Sequence, residues 1–318
     1  MKILSVVLAI ASLSIAAIAQ TGTLVEKFNT DPSRDGWQAV GDTNLFSWDS
    51  TNQMLDVTWD STQPNSYYYH PLGRTVTTND GFCVVFDLQL NDAVAINYGS
   101  ELAIGLLNFA GATNAGFSRA NGTSTNVFEF DYFPRFVANN ITYPDSIDAT
   151  LIDATNNYYF TYGNLPLNPG VTYHVLLLHH PNTIVISGEV FTNGQLMTSL
   201  PIVENYHPTN DDGAFQLDTL AVLNYADDGF GDDILAHGAV KNLAFASPLP
   251  VGLVNTVQSG QIQFASDTNW VYTLEQSADF QNWSAAAPPL AGNGTTLVMQ
   301  ATNLPAGESF YHVRANLR

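Results

Sequence analysis

Residues 127–133 alternate carboxylates with aromatic rings. Successive side chains of a β-strand point to opposite faces, so Glu129, Asp131 and Phe133 are predicted to share one face. The opposite face carries only aromatic rings, which favour core packing: Phe128, Phe130 and Tyr132. The carboxylate face must meet a solvated groove, a cation or a ligand, because burying an unpaired carboxylate is costly.

Glu129 and Asp131 are therefore the first candidates for ligand-binding residues. The full set is Glu129, Asp131, Phe133, Arg135 and Tyr68. Tyr68 belongs to a run of three tyrosines, residues 67–69, whose rings could stack on sugar faces; alternation allows exposure of either Tyr68 or its two neighbours. The alternative is that Glu129 and Asp131 pair with Arg135 or Arg119 on the same sheet.

A second acidic cluster occupies residues 227–233. Its four carboxylates, placed around two glycines, are Asp227, Asp228, Asp232 and Asp233. Calcium takes several oxygen ligands, so this loop is a candidate calcium site. The spacing does not match the alternating ligands of an EF-hand loop, and a plain solvated acidic loop remains the alternative.

The bulk composition narrows the possible locations and partners. Residues 1–19 have the basic start, apolar run and small-residue end of a secretory signal peptide, which predicts a secreted or cell-surface protein without membrane insertion after cleavage. A net charge of −20 disfavours nucleic acid and anionic lipid as partners. Lone Cys83 excludes an internal disulfide and is predicted to be an inert core thiol.

The chain beyond the signal reads as all-β. Strand-like runs bounded by Gly, Pro, Asn and Asp recur, including residues 55–59, 82–90 and 101–108. A three-strand meander is predicted from residue 171 through the Asn193-Gly194 turn. A proline-flanked connector near residues 246–250 divides a large sandwich, residues 20–247, from a small second unit, residues 248–318.

The segment 129–134 resembles the metal-binding strand of legume lectins, which belong to the concanavalin A-like jelly-roll superfamily together with laminarinase-type glucanases. The resemblance covers about residues 20–247 and implies a jelly-roll sandwich. In the lectin pattern a Glu and the Asp two residues on bind a transition metal, and only Glu129 and Asp131 match. Arg135 stands where the lectins have Asn and Asp145 where they have His, so an intact two-metal site is not implied.

The same segment is similar to the glucanase pattern Glu-x-Asp-x-Glu, but Phe133 replaces its third carboxylate. A retaining glycosidase needs two carboxyl groups about 5–5.5 Å apart across the scissile bond. Catalysis by this route would need another carboxylate as substitute.

The tail, residues 272–283 and 310–314, resembles a small C-terminal β-module found on secreted bacterial proteins, particularly of the Verrucomicrobia and Planctomycetes. Residues 248–318 are accordingly predicted to form a small immunoglobulin-like β-sandwich.

These observations predict a secreted, non-catalytic carbohydrate-binding or adhesion protein whose partner is a polysaccharide or glycan. Two alternatives stay open: a laminarinase-like glycoside hydrolase using Glu129 and Asp131, and a structural matrix or envelope protein.

Overall fold

The computed structural model describes the greater part of the chain beyond residue 21. The described residues are 22–95, 102–119, 121–138, 140–181, 184–193, 195–200, 213–227, 234–247, 252–253, 261–266, 268, 270–277, 284–302 and 310–317. The predicted signal peptide lies outside them.

Strands dominate the described residues up to residue 247. In chain order they are β1 (Gly22–Glu26), β2 (Gln38–Val40), β3 (Phe46–Asp49), β4 (Met54–Asp60), β5 (Ser66–Thr77), β6 (Phe82–Ala95), β7 (Leu102–Leu107), β8 (Val127–Phe133), β9 (Phe136–Ala138), β10 (Ile141–Tyr143), β11 (Ser146–Ile152), β12 (Tyr158–Gly163), β13 (Thr172–His179), β14 (Ile186–Thr192), β15 (Gln195–Leu200), β16 (Gln216–Asn224) and β17 (Ile234–Ser247).

Two antiparallel sheets contain nearly all of these strands. The eight-stranded sheet has the order β15-β14-β13-β6-β17-β4-β3, with β1 paired to β17. The seven-stranded sheet has the order β12-β11-β8-β7-β16-β5-β2, and β9 and β10 form a separate hairpin. Neighbours in each sheet are mostly distant in sequence, as crossovers between two layers require. The predicted all-β sandwich of two antiparallel sheets is confirmed.

The sandwich core lies between the two sheets and is built from the alternate side chains that each strand turns inward. Aromatic rings meet across the layers: the ring centroids of Phe82 and Phe128 are 5.1 Å apart, and those of Phe86 and Phe130 are 5.6 Å apart. The inward position of the aromatic face of residues 127–133 is therefore confirmed.

Several predicted strands are present. Strand β4 alternates buried and half-buried side chains along its length, as its sequence pattern predicts. The predicted meander is also confirmed, since β13, β14 and β15 pair in sequence order.

Helices are short in the described residues. One turn of α-helix, α1 (Phe109–Ala112), follows β7, and two 3-10 turns span Pro32–Asp35 and Thr43–Leu45. None of the helices in the described part of the chain is long and apolar enough to cross a membrane.

Two small sheets form the tail. Its strands are β18 (Gly252–Leu253), β19 (Gln261–Ala265), β20 (Trp270–Ser277), β21 (Ser284–Ala285), β22 (Leu290–Ala291), β23 (Thr296–Gln300) and β24 (Phe310–Leu317). Strands β18, β19 and β23 make one sheet, while β20 to β22 and β24 make the other. The immunoglobulin-like assignment and the exact unit boundaries remain predictions.

The tail packs on the outer face of the eight-stranded sheet. Cys83 and Val85 of β6 and Ala246 of β17 are buried in one cluster with tail side chains, among them Phe264 and Trp270. Their neighbours Phe82 and Val84 point the other way, into the sandwich core. The tail therefore seals part of the outer surface of one sheet.

Candidate functional site

Glu129 and Asp131 project from β8 on the outer face of the seven-stranded sheet, away from the sandwich core. Both are nevertheless 0% exposed. They lie beneath the connection between β7 and β8, and this connection carries Arg119.

Arg119 bridges the two carboxylates. Its Nε donates to Glu129 Oε1 at 2.8 Å, and its Nη2 lies 3.5 Å from Asp131 Oδ2. The guanidinium is itself nearly buried. The alternative interpretation, in which Arg119 pairs with both carboxylates, is what the structure shows. In this arrangement neither carboxylate can be reached by a ligand.

Hydroxyl groups add further hydrogen bonds to the two carboxylates. The Tyr225 hydroxyl donates to Glu129 Oε2 at 2.5 Å, and the Thr150 hydroxyl donates to Asp131 Oδ2 at 2.7 Å. Burial, followed by the nearby Glu129 charge, raises the pKa of Tyr225 well above its ordinary value, so this phenol remains a donor. The three partners show why two carboxylates can be buried here.

Two aromatic rings enclose the Arg119 guanidinium. Its Cζ lies 5.6 Å from the ring centroid of Tyr225 and 5.7 Å from that of Tyr158. At these distances a cation is attracted by the electron-rich ring faces, and the rings exclude water from the ion pair.

Asp148 is a third carboxylate beside this ion pair. It is the cross-strand partner of Asp131 in the register of β11 with β8. Burial raises the pKa of Asp148 to about 7, while the Arg119 charge acts in the opposite direction. Unlike Asp131, it is only half-buried. It was not identified from the sequence, although its position between inward-facing Ile147 and Ala149 marks it as an outward-facing side chain.

Exposed aromatic side chains lie next to Asp148 on edge strand β12. Tyr162 is 63% exposed and is the cross-strand partner of Asp148, and Phe160 is 39% exposed and is the partner of Thr150. All four side chains face the outer side of the seven-stranded sheet, because Tyr159 and Ala149 face the core. We call Asp148, Thr150, Phe160 and Tyr162 the edge platform.

The other predicted ligand contacts are dispersed. Phe133 is half-buried at the end of β8, and Arg135 is exposed beyond it. The structure corrects the placement of Tyr68, which faces the sandwich interior and stacks on Trp37 with centroids 5.4 Å apart. Tyr68 therefore packs in the core and is not placed to contact a ligand.

The predicted calcium loop is described only at its first residue. The Asp227 amide donates to the Ser61 carbonyl at 2.7 Å, whereas Asp228, Asp232 and Asp233 lie outside the described residues. Across the part of the chain that the structure describes, no group of three or more His, Cys, Asp or Glu side chains is placed to hold a metal ion. Calcium binding by this loop remains a prediction.

The β7–β8 connection divides the outer face of the seven-stranded sheet. At its start, Phe109 of α1 stacks on Tyr69 with centroids 4.3 Å apart, and the Tyr67 hydroxyl donates to the Ala112 carbonyl at 3.1 Å. Near its end, Ser124 Oγ lies 3.0 Å from the Tyr158 hydroxyl. The edge platform lies on one side of this connection, toward β12.

Comparison with known proteins yields distant structural similarity only. No protein-family model matches the sequence, and no curated protein matches it significantly. A peanut lectin structure is 12% identical, with 75% of this chain and 100% of that chain covered and a TM-score of 0.46. A winged bean acidic lectin bound to methyl-α-D-galactose is 11% identical, with coverage of 72% and 99% and a TM-score of 0.46. An alginate lyase is 12% identical, with coverage of 70% and 96% and a TM-score of 0.35. These values are too low to carry a ligand or an activity over to this chain.

Proposed function

We propose that this protein is an exported carbohydrate-binding protein and that its glycan lies on the edge platform. The observation that carries the proposal is the pair of exposed rings, Phe160 and Tyr162, on one face of β12 beside the half-buried carboxylate of Asp148. Large aromatic side chains have an apolar body that suits the C–H faces of sugars, and a carboxyl oxygen accepts hydrogen bonds from hydroxyl groups.

The spacing of the two rings suits an extended chain. Side chains two residues apart on a strand are about 6.8 Å apart, which is comparable with the separation of neighbouring sugar rings. A polysaccharide running along β12 could therefore contact Phe160 and Tyr162 with successive units.

The charge of the protein favours a neutral glycan. The sequence has a net charge of −20, and Arg119, the cation that acts on the platform carboxyl group of Asp148, is nearly buried. An anionic polymer would be repelled by such a surface.

Glu129 and Asp131 have a supporting role in this proposal. They hold Arg119 and the β7–β8 connection against the sheet. Both lie on β8, which is next to β11 and two strands from β12, the strands that carry the edge platform. The hydrolase alternative would require these carboxylates to reach a glycosidic bond, and their complete burial in the ion pair opposes it.

A glycan array probed with the purified chain, with and without calcium, tests the proposal, followed by calorimetric titration of any ligand that is retained. Tyr162→Ala and Phe160→Ala should each weaken binding roughly tenfold, because loss of one stacking contact costs about 1–1.5 kcal/mol. Val137→Ala is the matched control, since Val137 is 60% exposed on β9 and lies outside the platform.

Three outcomes would contradict the proposal. The platform is wrong if binding survives the Phe160→Ala/Tyr162→Ala double variant unchanged. Release of reducing ends from the retained glycan would show that the protein hydrolyses the glycan as well as binding it. Absence of any retained glycan, together with self-association, would favour the matrix alternative.

A further inference from the structure

A cleft opens on the other side of the β7–β8 connection, also on the outer face of the seven-stranded sheet. Its volume is about 580 Å³. Strands β2, β5 and β16 and helix α1 line it, and the residues used below are Gln38, Tyr69, Arg74, Thr75, Phe109 and Asp218. We call it the α1 cleft. It shares no lining residue with the edge platform.

One wall of the α1 cleft is aromatic and is held in place. Tyr69 and Phe109 stack with centroids 4.3 Å apart and an interplanar angle of 30°. The Tyr69 hydroxyl donates to Gln38 Oε1 at 3.0 Å, which orients the Gln38 amide with its nitrogen as a donor. An apolar wall and a fixed amide therefore lie side by side.

Asp218 provides an acceptor that is held in place by hydrogen bonds from neutral donors. Its Oδ1 accepts from the Phe109 amide at 2.9 Å and from the Thr219 hydroxyl at 2.8 Å. Its Oδ2 accepts one long bond of 3.4 Å from Asn108 Nδ2. A carboxylate has about four lone-pair sites, so Oδ2 can still accept from a ligand hydroxyl.

Arg74, the cation of the cleft, is held in place by two polar partners. Arg74 Nη2 donates to Ser247 Oγ at 2.6 Å and lies 3.6 Å from Asp80 Oδ1. The lining thus combines donors and acceptors, and its described residues include one cation, Arg74, and one carboxylate, Asp218.

We propose that the α1 cleft is a second binding pocket and that it takes a neutral sugar ring, as a monosaccharide or as the end of a glycan chain. The volume falls within the roughly 300–1,000 Å³ of small-molecule sites, and an apolar wall with a few fixed polar groups is typical of them. The charges of Arg74 and Asp218 sum to zero over the described lining residues, which favours a polyol over an anion or a cation. The inference rests on the proposed function and deepens it, because the platform would hold the interior of a chain and the cleft a single ring.

Titration of the full isotope-labelled chain with D-glucose, D-galactose, D-mannose and N-acetylglucosamine, followed by NMR, tests the pocket. At least one sugar should shift the Gln38 side-chain amide and the Thr75 backbone amide. Thr75→Trp should weaken this binding at least tenfold, because Thr75 is exposed and lines the cleft, so the indole would fill it. Asp218→Asn keeps an Oδ1 acceptor for Phe109 and Thr219 and should weaken binding less.

Thr172→Trp is the matched control, since Thr172 is an exposed strand residue of the eight-stranded sheet. Tyr162→Ala should leave the cleft shifts unchanged. Shifts that vanish in Tyr162→Ala and persist in Thr75→Trp would overturn the pocket while supporting the platform. Shifts confined to the cleft would support the pocket, because a single sugar ring is expected there, while the platform is tested separately by the glycan array and the Phe160→Ala/Tyr162→Ala double variant. Tighter binding of glucuronate or glucosamine than of every neutral sugar, or no cleft shift at all, would also overturn the inference.

Discussion

Arg119 compensates the charges of two buried carboxylates on the outer face of the seven-stranded sheet. Removing one partner of a buried ion pair leaves the opposite charge buried without compensation. Arg119→Met would leave both Glu129 and Asp131 in that condition. We expect a loss of about 3–5 kcal/mol in the free energy of unfolding, measured by urea denaturation.

Arg34→Met is the control for this prediction. Arg34 is 81% exposed and its contact with Asp31 is 4.0 Å long, so the change should cost less than about 0.5 kcal/mol. A loss below about 1 kcal/mol for Arg119→Met would show that solvent reaches the two carboxylates.

Asp148 should give the protein a pH-dependent stability. Because its pKa is raised to about 7, the folded state binds its proton more tightly than the unfolded chain does. The stabilisation is complete below about pH 4 and is lost as the pH rises through about 7. Asp148→Asn should remove the contribution of this group to the dependence of stability on pH. At pH 8 the variant should be more stable than the parent by on the order of 1–2 kcal/mol. Thermal unfolding measured across this range checks it, and an unchanged slope would contradict it.

The residues of the site were partly predictable from sequence. Alternation alone separates Glu129 and Asp131 from the core-facing rings, and Arg119 was one of two cations proposed as their partner. The choice between Arg119 and Arg135 could not be made, because it depends on how the β7–β8 connection folds back over the sheet. Arg135 instead leaves its side chain exposed and donates its amide to Asp145.

At the scale of the strands, Gly105 of β7 sets how closely the chain packs around Glu129, its cross-strand partner. A β-carbon at Gly105 would lie 2.6 Å from Glu129 Cα and would also overlap the Phe128 carbonyl oxygen. Gly105→Ala should therefore destabilise the protein by about 1–3 kcal/mol, since both obstacles are backbone atoms that cannot rotate away.

Gly116→Ala provides the comparison in the neighbouring connection. The nearest atom to a β-carbon there is Asn114 Oδ1 at 3.8 Å, so no strain is expected. Equal denaturation midpoints for the two variants would show that β7 and β8 can separate without cost.

Strand prediction succeeded where alternation or a turn signal was strong, as in β4 and in the meander of β13 to β15. It assigned no strands at β11 and β12, although both are rich in residues that favour strands, namely Ile, Thr, Tyr and Phe. The edge platform consequently escaped prediction, because it depends on the register between β8, β11 and β12. Register is set by long-range pairing, which local sequence patterns do not contain.

At the scale of the whole molecule, the tail should protect the thiol of Cys83. Burial raises the pKa of Cys83 to about 12, and its cluster consists largely of tail side chains. Removal of residues 248–318 should expose the thiol and make it react with Ellman's reagent at pH 8, because the thiolate is the reactive form. The full chain should react only after denaturation.

Circular dichroism of the truncated chain would establish that it retains its strands. A folded truncated chain whose thiol stays unreactive would show that Cys83 is covered by other parts of the molecule.

Because the tail occupies the outer side of one sheet, the two surfaces of the sandwich are not equivalent. A support or fusion partner attached through β24 would lie on the side of the eight-stranded sheet, which is opposite to the side that carries Tyr162. Immobilised in that orientation, the protein would display its aromatic edge to the surrounding liquid. Biosensor chips could then be coated without blocking the side to be probed.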